Sequence, residues 1–143
     1  KHDILWFKTA EPRVRFDLKQ ITGTVPIIKA YAGMGIGDGI ISLLAPEKID
    51  GVVIEALGAG NLPPLAAREI KSLMDKGVPV VLVSRCFNGI AEPVYAYEGG
   101  GVKLQEAGVM FIKELNAPKA RLKLLIALSA GLEGQELKDY IEG

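Results

Sequence analysis

Three short, nearly unbroken hydrophobic runs lie between positions 25 and 83, at 25–31, 52–57 and 78–83. Each run is rich in Val and Ile and does not alternate with polar residues. Such runs are typical of strands that are buried on both faces, as in a parallel sheet covered by helices. A shorter apolar stretch at 109–112 predicts a fourth strand, at the edge of the sheet.

The segments between and after these runs carry helical signals. Apolar residues at helical spacing predict an amphipathic helix over 65–76, with Pro63 and Pro64 in its first turn and Gly77 at its end. Further helices are predicted at 40–44, from the capping residue Asn116 to about residue 129, and at 135–141, whereas 85–106 is predicted to be mostly loop.

The order of strands and helices defines the fold class. Strands that alternate with helices indicate a parallel sheet with helices packed against it. The stretch 124–128 is apolar nearly all round, which predicts a helix buried on more than one side. We therefore predict a three-layer α/β/α domain with a mainly parallel sheet of about four strands, of the flavodoxin or Rossmann-like kind.

The chain length of 143 residues suits one domain preceded by an arm. Residues 1–20 show no sustained helical period and contain Pro12, so we interpret them as an extended inter-domain linker and place the α/β domain at 21–143. Because the chain begins with Lys1 and not Met, we expect it to be processed or cut from something larger.

Charge and composition exclude several classes of partner. Lys plus Arg and Asp plus Glu both number 17, so a net charge of zero offers no field for nucleic acid or an anionic membrane. With 49% hydrophobic residues, this balance favours self-association, and we expect a homodimer. Cys86, the single cysteine, allows no internal disulfide and favours a reducing compartment such as the cytoplasm. Because it follows an apolar strand, we expect Cys86 to be buried.

Catalytic residues of the familiar kinds are scarce. A hydroxyl or thiol nucleophile needs a base within hydrogen-bond reach, and the one histidine, His2, lies in the arm. One His and one Cys make a zinc site implausible, and no stretch alternates acidic residues as calcium sites do. We expect no metal site.

A glycine cluster after the first strand suggests a dinucleotide site as one alternative. Gly33, Gly35, Gly37 and Gly39 lie between a strand and a helix, and Glu55 stands where a ribose-binding acid would. The spacing does not fit the G-x-G-x-x-G fingerprint, however, so a mobile turn is the simpler interpretation.

Asn61, Tyr97 and Glu98 are the candidate ligand-binding residues. Asn61 follows Gly58-Ala59-Gly60 at the carboxyl end of a strand, where α/β proteins bind ligands, and its amide could hold a zwitterion. From composition alone, the favoured interpretation is that it caps the helix that begins at the following prolines. Tyr97 and Glu98 precede the triple glycine 99–101 and could grip an ammonium or carboxylate, or lie in a solvated loop.

Several pieces of the sequence, taken in order, resemble the smaller C-terminal domain of cytoplasmic bacterial and archaeal L-asparaginases. The pieces are Gly58-Ala59-Gly60-Asn61-Leu62 after a Val/Ile-rich strand, then Val83-Ser84-Arg85-Cys86 with Gly89, then Ala107-Gly108, and finally the helix opening Asn116-Ala117-Pro118-Lys119-Ala120-Arg121. The resemblance runs from about residue 20 to the end of the chain, and its most specific fragment is Gly-x-Gly-Asn.

The resemblance implies a division of labour between two domains. Enzymes of this family hydrolyse L-asparagine to aspartate and ammonia without a cofactor, and their nucleophilic threonines belong to an N-terminal domain. This chain has neither the Gly-Gly-Thr nor the Thr-Asp motif, and we interpret Thr22-Gly23-Thr24 as structural. We expect no catalytic residue in the chain, which should be inactive alone. Asn61, Tyr97 and Glu98 would contact L-asparagine across a subunit interface with the catalytic domain.

A stand-alone interaction module is the alternative of a different class. Zero net charge and the apolar stretch 124–128 would also suit a self-associating domain that assists the folding of a partner. A strictly monomeric chain would count against it.

Overall fold

A parallel sheet of four strands runs through the part of the chain that the computed structural model describes, residues 14–35, 39–44 and 46–143. The strands are β1 (Ile27–Lys29), β2 (Val52–Ala56), β3 (Val80–Ser84) and β4 (Met110–Phe111), and they lie side by side in that order. The central pair β2–β3 is the longest, with Val52 beside Val80 and Ala56 beside Ser84. The predicted edge position of the last strand is confirmed.

Four helices pack on the sheet within the described residues, two on each face. They are α1 (Pro64–Met74), α2 (Gly101–Glu106), α3 (Ala117–Ser129) and α4 (Gly134–Glu142), and a 3₁₀ turn spans Pro46–Lys48. Because the strands follow chain order, crossovers of one hand all fall on the same face, which therefore carries α1 and α2. The opposite face is covered by α3 and α4 after the last strand.

Alternate residues of the same strands supply the two cores. Ile54, Val80 and Leu82 face α1 and α2, whereas Val53 and Val81 face α3 and α4. Burial on both faces explains why the strand sequences do not alternate with polar residues. The predicted three-layer α/β/α domain with a four-stranded parallel sheet is confirmed.

Helix α3 matches its prediction closely. The Asn116 side chain accepts a hydrogen bond from the Lys119 N–H at 3.2 Å, as an N-cap does, and Pro118 lies in the first turn. Within 124–128, Leu124, Leu125 and Ala127 are buried against the sheet and α4. The apolar stretch is therefore core and does not leave an open face.

Three expectations about local structure need correction. The segment 85–106 contains α2, which the sequence did not predict because six residues span less than two turns and show no clear period. Residues 40–44 form turns and not a helix, with hydrogen bonds from Leu43 N to Gly39 O and from Leu44 N to Ile41 O. The first strand is shorter than 25–31.

The predicted arm is described only in part. Residues 1–13, with His2 and Pro12, lie outside the described residues, as do 36–38 and 45. Residues 14–20 form no helix or strand, but Phe16 packs edge-on against Tyr140 of α4, with ring centroids 5.3 Å apart. The boundary at residue 20 stays a prediction.

Candidate functional site

The carboxyl ends of the four strands meet at one edge of the sheet, where the candidate ligand-binding residues were expected. The loop after β2 holds Asn61, and the long connection from β3 to α2 holds Tyr97 and Glu98. Backbone hydrogen bonds join the two loops, so residues that are distant in sequence share one surface.

The loop after β2 is a tight turn that glycine makes possible. Leu57 and Asn61 form an isolated antiparallel bridge with two hydrogen bonds of 2.9 Å between their backbones. Gly60 has a φ of +107°, and a Cβ atom there would lie 2.9 Å from the ring of Phe111 and 3.1 Å from Leu82. Glycine at this position lets the loop pack directly on the core, which fixes the place of Asn61.

The side chain of Asn61 is half-buried and directed at α2. Its Oδ1 accepts a hydrogen bond from the Gly101 N–H at 3.3 Å, and Gly101 is the first residue of α2. Helix α1 begins at Pro64 with Pro63 as its N-cap and no side-chain cap, so the interpretation of Asn61 as the cap of α1 is wrong. Since a backbone N–H requires an acceptor, the Asn61 oxygen faces Gly101. Among the described residues, none accepts a hydrogen bond from its amide nitrogen.

The triple glycine lets the second loop approach the first. The Leu62 N–H donates to the Gly99 carbonyl at 2.8 Å, and the Gly100 N–H donates to the Tyr97 carbonyl at 2.8 Å. Gly99 has a φ of +87°, and a Cβ atom on it would collide with the Leu62 carbonyl oxygen. A residue with a side chain would push the two loops apart.

Tyr97 and Glu98 directly precede the glycines that contact the loop of Asn61, but their side chains have different neighbours. Tyr97 is exposed, and its ring lies 5.9 Å from that of Tyr95. Glu98 accepts two hydrogen bonds from Arg68 of α1, at 2.6 Å from Nε and 3.0 Å from Nη2. These bonds lower the pKa of Glu98 below its usual range and raise that of Arg68. No hydrogen bond between described residues joins the Asn61 side chain to that of Tyr97 or Glu98.

A third loop, after β3, completes this edge. The Ser84 Oγ donates to the Gly58 carbonyl at 2.7 Å and accepts from the Cys86 N–H at 3.1 Å, which ties β3 to the loop that carries Asn61. Cys86 itself is exposed, so the expectation that it is buried is wrong. The strand ends at Ser84, and the chain turns outward before the cysteine.

The described residues of this edge make hydrogen bonds chiefly between loops. The Ser84 hydroxyl donates to a backbone carbonyl and accepts from a backbone N–H, so its hydrogen bonds are to the main chain. No group of three His, Cys, Asp or Glu side chains placed to hold a metal ion occurs in the described part of the chain. Its helices also include none with the length and apolarity needed to cross a membrane. The Asn61 amide nitrogen is a donor at this edge that no described residue engages.

The family follows from comparison with known proteins. Residues 24–141 match the sequence model of the Glutaminase/Asparaginase C-terminal domain. The chain belongs to this family. The predicted resemblance is thereby confirmed, and the match gives no support to a stand-alone interaction module.

Relatives of this asparaginase C-terminal domain are longer proteins. It is 44% identical over 133 residues to a probable L-asparaginase of Deinococcus radiodurans, an alignment that covers 93% of this chain and 39% of that protein. It is 33% identical over 132 residues to a glutamyl-tRNA(Gln) amidotransferase component of Pyrococcus furiosus, or 92% of this chain and 29% of that protein. The crystal structure of L-asparaginase I from Vibrio cholerae superposes with a TM-score of 0.72 at 27% identity, over 92% of this chain and 40% of that one. The chain therefore spans two fifths or less of these proteins.

Sequence reasoning missed two features of the asparaginase C-terminal domain. Arg68 lies on the exposed side of an ordinary amphipathic helix, 30 residues before Glu98, and no local pattern could have paired the two. The Ser84 to Gly58 hydrogen bond joins the end of β3 to the loop after β2, across 26 residues. A parallel sheet does predict that such loops are neighbours, which is the one signal that was available.

Proposed function

We propose that this domain is part of an enzyme that hydrolyses L-asparagine to L-aspartate and ammonia, and that it supplies substrate-contacting side chains and a docking surface. The observation that carries the proposal is the family match over 24–141 together with Asn61, whose amide nitrogen is left available at the carboxyl edge of the sheet. The attacking hydroxyl belongs to an N-terminal catalytic domain, so this chain alone is inactive. It needs no cofactor.

The held orientation of Asn61 defines what it contacts. Because its oxygen accepts the Gly101 N–H, the side chain presents its NH₂ group, which donates to a carboxylate or carbonyl oxygen. A substrate carboxylate is the acceptor that gains most from such a bond, since hydrogen bonds to charged groups are the stronger ones. Tyr97 adds an exposed hydroxyl beside the same loops. Both carboxylate oxygens of Glu98, the third residue predicted from the sequence, accept hydrogen bonds from Arg68, so we assign the substrate contacts to Asn61 and Tyr97.

The docking surface is built from the loops at the same edge. Exposed apolar side chains follow the strands there, and Phe87 has no contact that shields it from solvent. The set comprises Tyr31, Phe87, Ile90, Val94 and Tyr95. We propose that the catalytic domain covers this edge in a homodimer in the cytoplasm. With a net charge of zero, we propose no nucleic-acid or membrane partner.

The test compares two asparagine substitutions in the intact protein that carries this domain. Asn61→Ala should lower kcat/KM for L-asparagine about tenfold to a hundredfold, the value of one hydrogen bond to a charged group. Asn116→Ala, at the start of α3 on the opposite face, removes a helix cap without touching the edge and should leave KM unchanged. Equal kinetics for wild type and Asn61→Ala would contradict the proposal.

A second assay addresses the division of labour and the substrate. The 143-residue chain should release no ammonia from L-asparagine, and addition of the separate catalytic domain should restore release. L-glutamine is assayed in parallel, because the family name includes glutaminases. Ammonia release by the chain alone would overturn the assignment of the nucleophile to another segment.

A further inference from the structure

Glu98 has both carboxylate oxygens engaged by one guanidinium. The two hydrogen bonds from Arg68 form the parallel fork that guanidinium and carboxylate groups favour, at 2.6 and 3.0 Å. An incoming ammonium group would have to compete with this fork for the same oxygens. We infer that Glu98 and Arg68 form a positioning pair that holds the loop beside Asn61, and that Glu98 is not a ligand of the substrate. The inference rests on the proposed function only for its kinetic arm.

Backbone hydrogen bonds connect this pair to Asn61 in two short steps. Gly99, next to Glu98, accepts the Leu62 N–H at 2.8 Å, and Gly101 donates to Asn61 Oδ1 at 3.3 Å. Arg68 is on the helix that begins two residues after Leu62. The contacts therefore close a ring, from α1 through Glu98 and the glycines back to the residues that lead into α1.

The flexibility of the three glycines explains why an ion pair at Glu98 affects the position of Gly101. Three consecutive glycines have more backbone freedom than any other tripeptide, so tertiary contacts must fix the orientation of Gly101. On one side, the Val102 N–H donates to the Tyr95 carbonyl at 3.0 Å. A tether at Glu98 restricts it from the other side. The cleft between α1 and α2, about 250 Å³ and lined by Arg68, Glu98, Gly99 and Leu104, contains no other described carboxylate that could replace Glu98.

A second ion pair on the same helix provides a matched control. Lys71 pairs with Asp75 at 3.0 Å, and the side-chain exposures of 63% and 63% are close to the 64% and 54% of Arg68 and Glu98. This pair spans one helical turn and crosses to no loop. Its loss should therefore leave the hydrogen bonds between the loop of Asn61 and the glycines 99–101 unchanged.

The first experiment measures amide hydrogen exchange by NMR in the 143-residue chain. R68Q and E98Q should each speed the exchange of the Leu62 and Gly101 amides about twofold to fivefold, the range expected when an exposed pair is lost. The double variant R68Q/E98Q should be no faster than either single one. D75N, which breaks the control pair at the residue that does not line the cleft, should match wild type, and the Ala120 amide of α3 serves as the internal reference. Unchanged exchange of Leu62 and Gly101 in R68Q and E98Q would overturn the inference.

The kinetic arm separates positioning from substrate contact in the intact protein. If Glu98 positions the loop, R68Q, E98Q and R68Q/E98Q should raise KM for L-asparagine to the same extent, with kcat changed less. The reversed pair R68E/E98R should recover part of the loss. A larger effect of E98Q than of R68Q, with further loss in the double variant, would show that Glu98 binds substrate and would overturn the inference. If wild type released no ammonia, the proposed function would fail, whereas hydrogen exchange would still decide the positioning role.

Discussion

Replacement of Gly99 by alanine tests whether the close approach of the two loops stabilises the domain. Gly99 is buried and has a φ of +87°, and its carbonyl accepts the Leu62 N–H at 2.8 Å. A Cβ atom would collide with the Leu62 carbonyl oxygen and lie 3.4 Å from the carbonyl carbon of Pro63. The substitution therefore imposes backbone strain and also separates the loops.

The two costs can be estimated separately. A side chain in the left-handed region costs about 1–2 kcal/mol. The Leu62 N–H is buried, and a buried donor left without its acceptor costs about 1–3 kcal/mol more. Gly99→Ala should therefore lower the free energy of unfolding by about 2–5 kcal/mol, a large part of the stability of a domain this size.

Gly131 provides the control, since it has nearly the same backbone conformation without the close approach. Its φ is +79°, and no atom lies within 4 Å of a Cβ built there. Gly131→Ala should therefore cost only the strain, about 1–2 kcal/mol. The difference between the two variants, about 1–3 kcal/mol, measures the loop contact.

Urea denaturation followed by circular dichroism gives both free energies, compared at a common slope. The Gly99→Ala midpoint should lie clearly below that of Gly131→Ala, and the exchange of the Leu62 amide should accelerate in the first variant only. Equal midpoints for the two variants would show that the contact between Leu62 and Gly99 contributes no stability, and the reasoning would be refuted.

Two further predictions concern the same edge of the sheet. Gly60→Ala would press a Cβ atom to 2.9 Å from the Phe111 ring, whereas Gly58→Ala meets no atom within 4 Å, so thermal unfolding should show a clearly lower Tm for the first. Arg68 lowers the pKa of Glu98, so the stabilisation from their pair is present above the ordinary carboxyl pKa of about 4.3 and is lost as the pH falls through the folded-state value. NMR titration of the Glu98 carboxyl carbon should therefore give a lower pKa in wild type than in R68Q, and equal values would contradict the pairing.

The sequence by itself determined which segments form the central strands and the longer helices of this protein. The Val- and Ile-rich runs at 52–57 and 78–83 became β2 and β3, and the apolar spacing over 65–76 became α1. Asn116 and Pro118 marked the start of α3. These signals are local, because burial on one or both faces of an element leaves its period in a few consecutive residues.

Only the tertiary structure decided how the candidate site is held together. Asn61 bonds to Gly101 across 40 residues, and Arg68 bonds to Glu98 across 30. The exposure of Cys86 likewise depends on where β3 ends and how the chain turns away from the sheet. Such contacts form between loops that the sheet brings together, so they leave no periodic trace in the sequence, and their partners become known only when the strands are placed side by side.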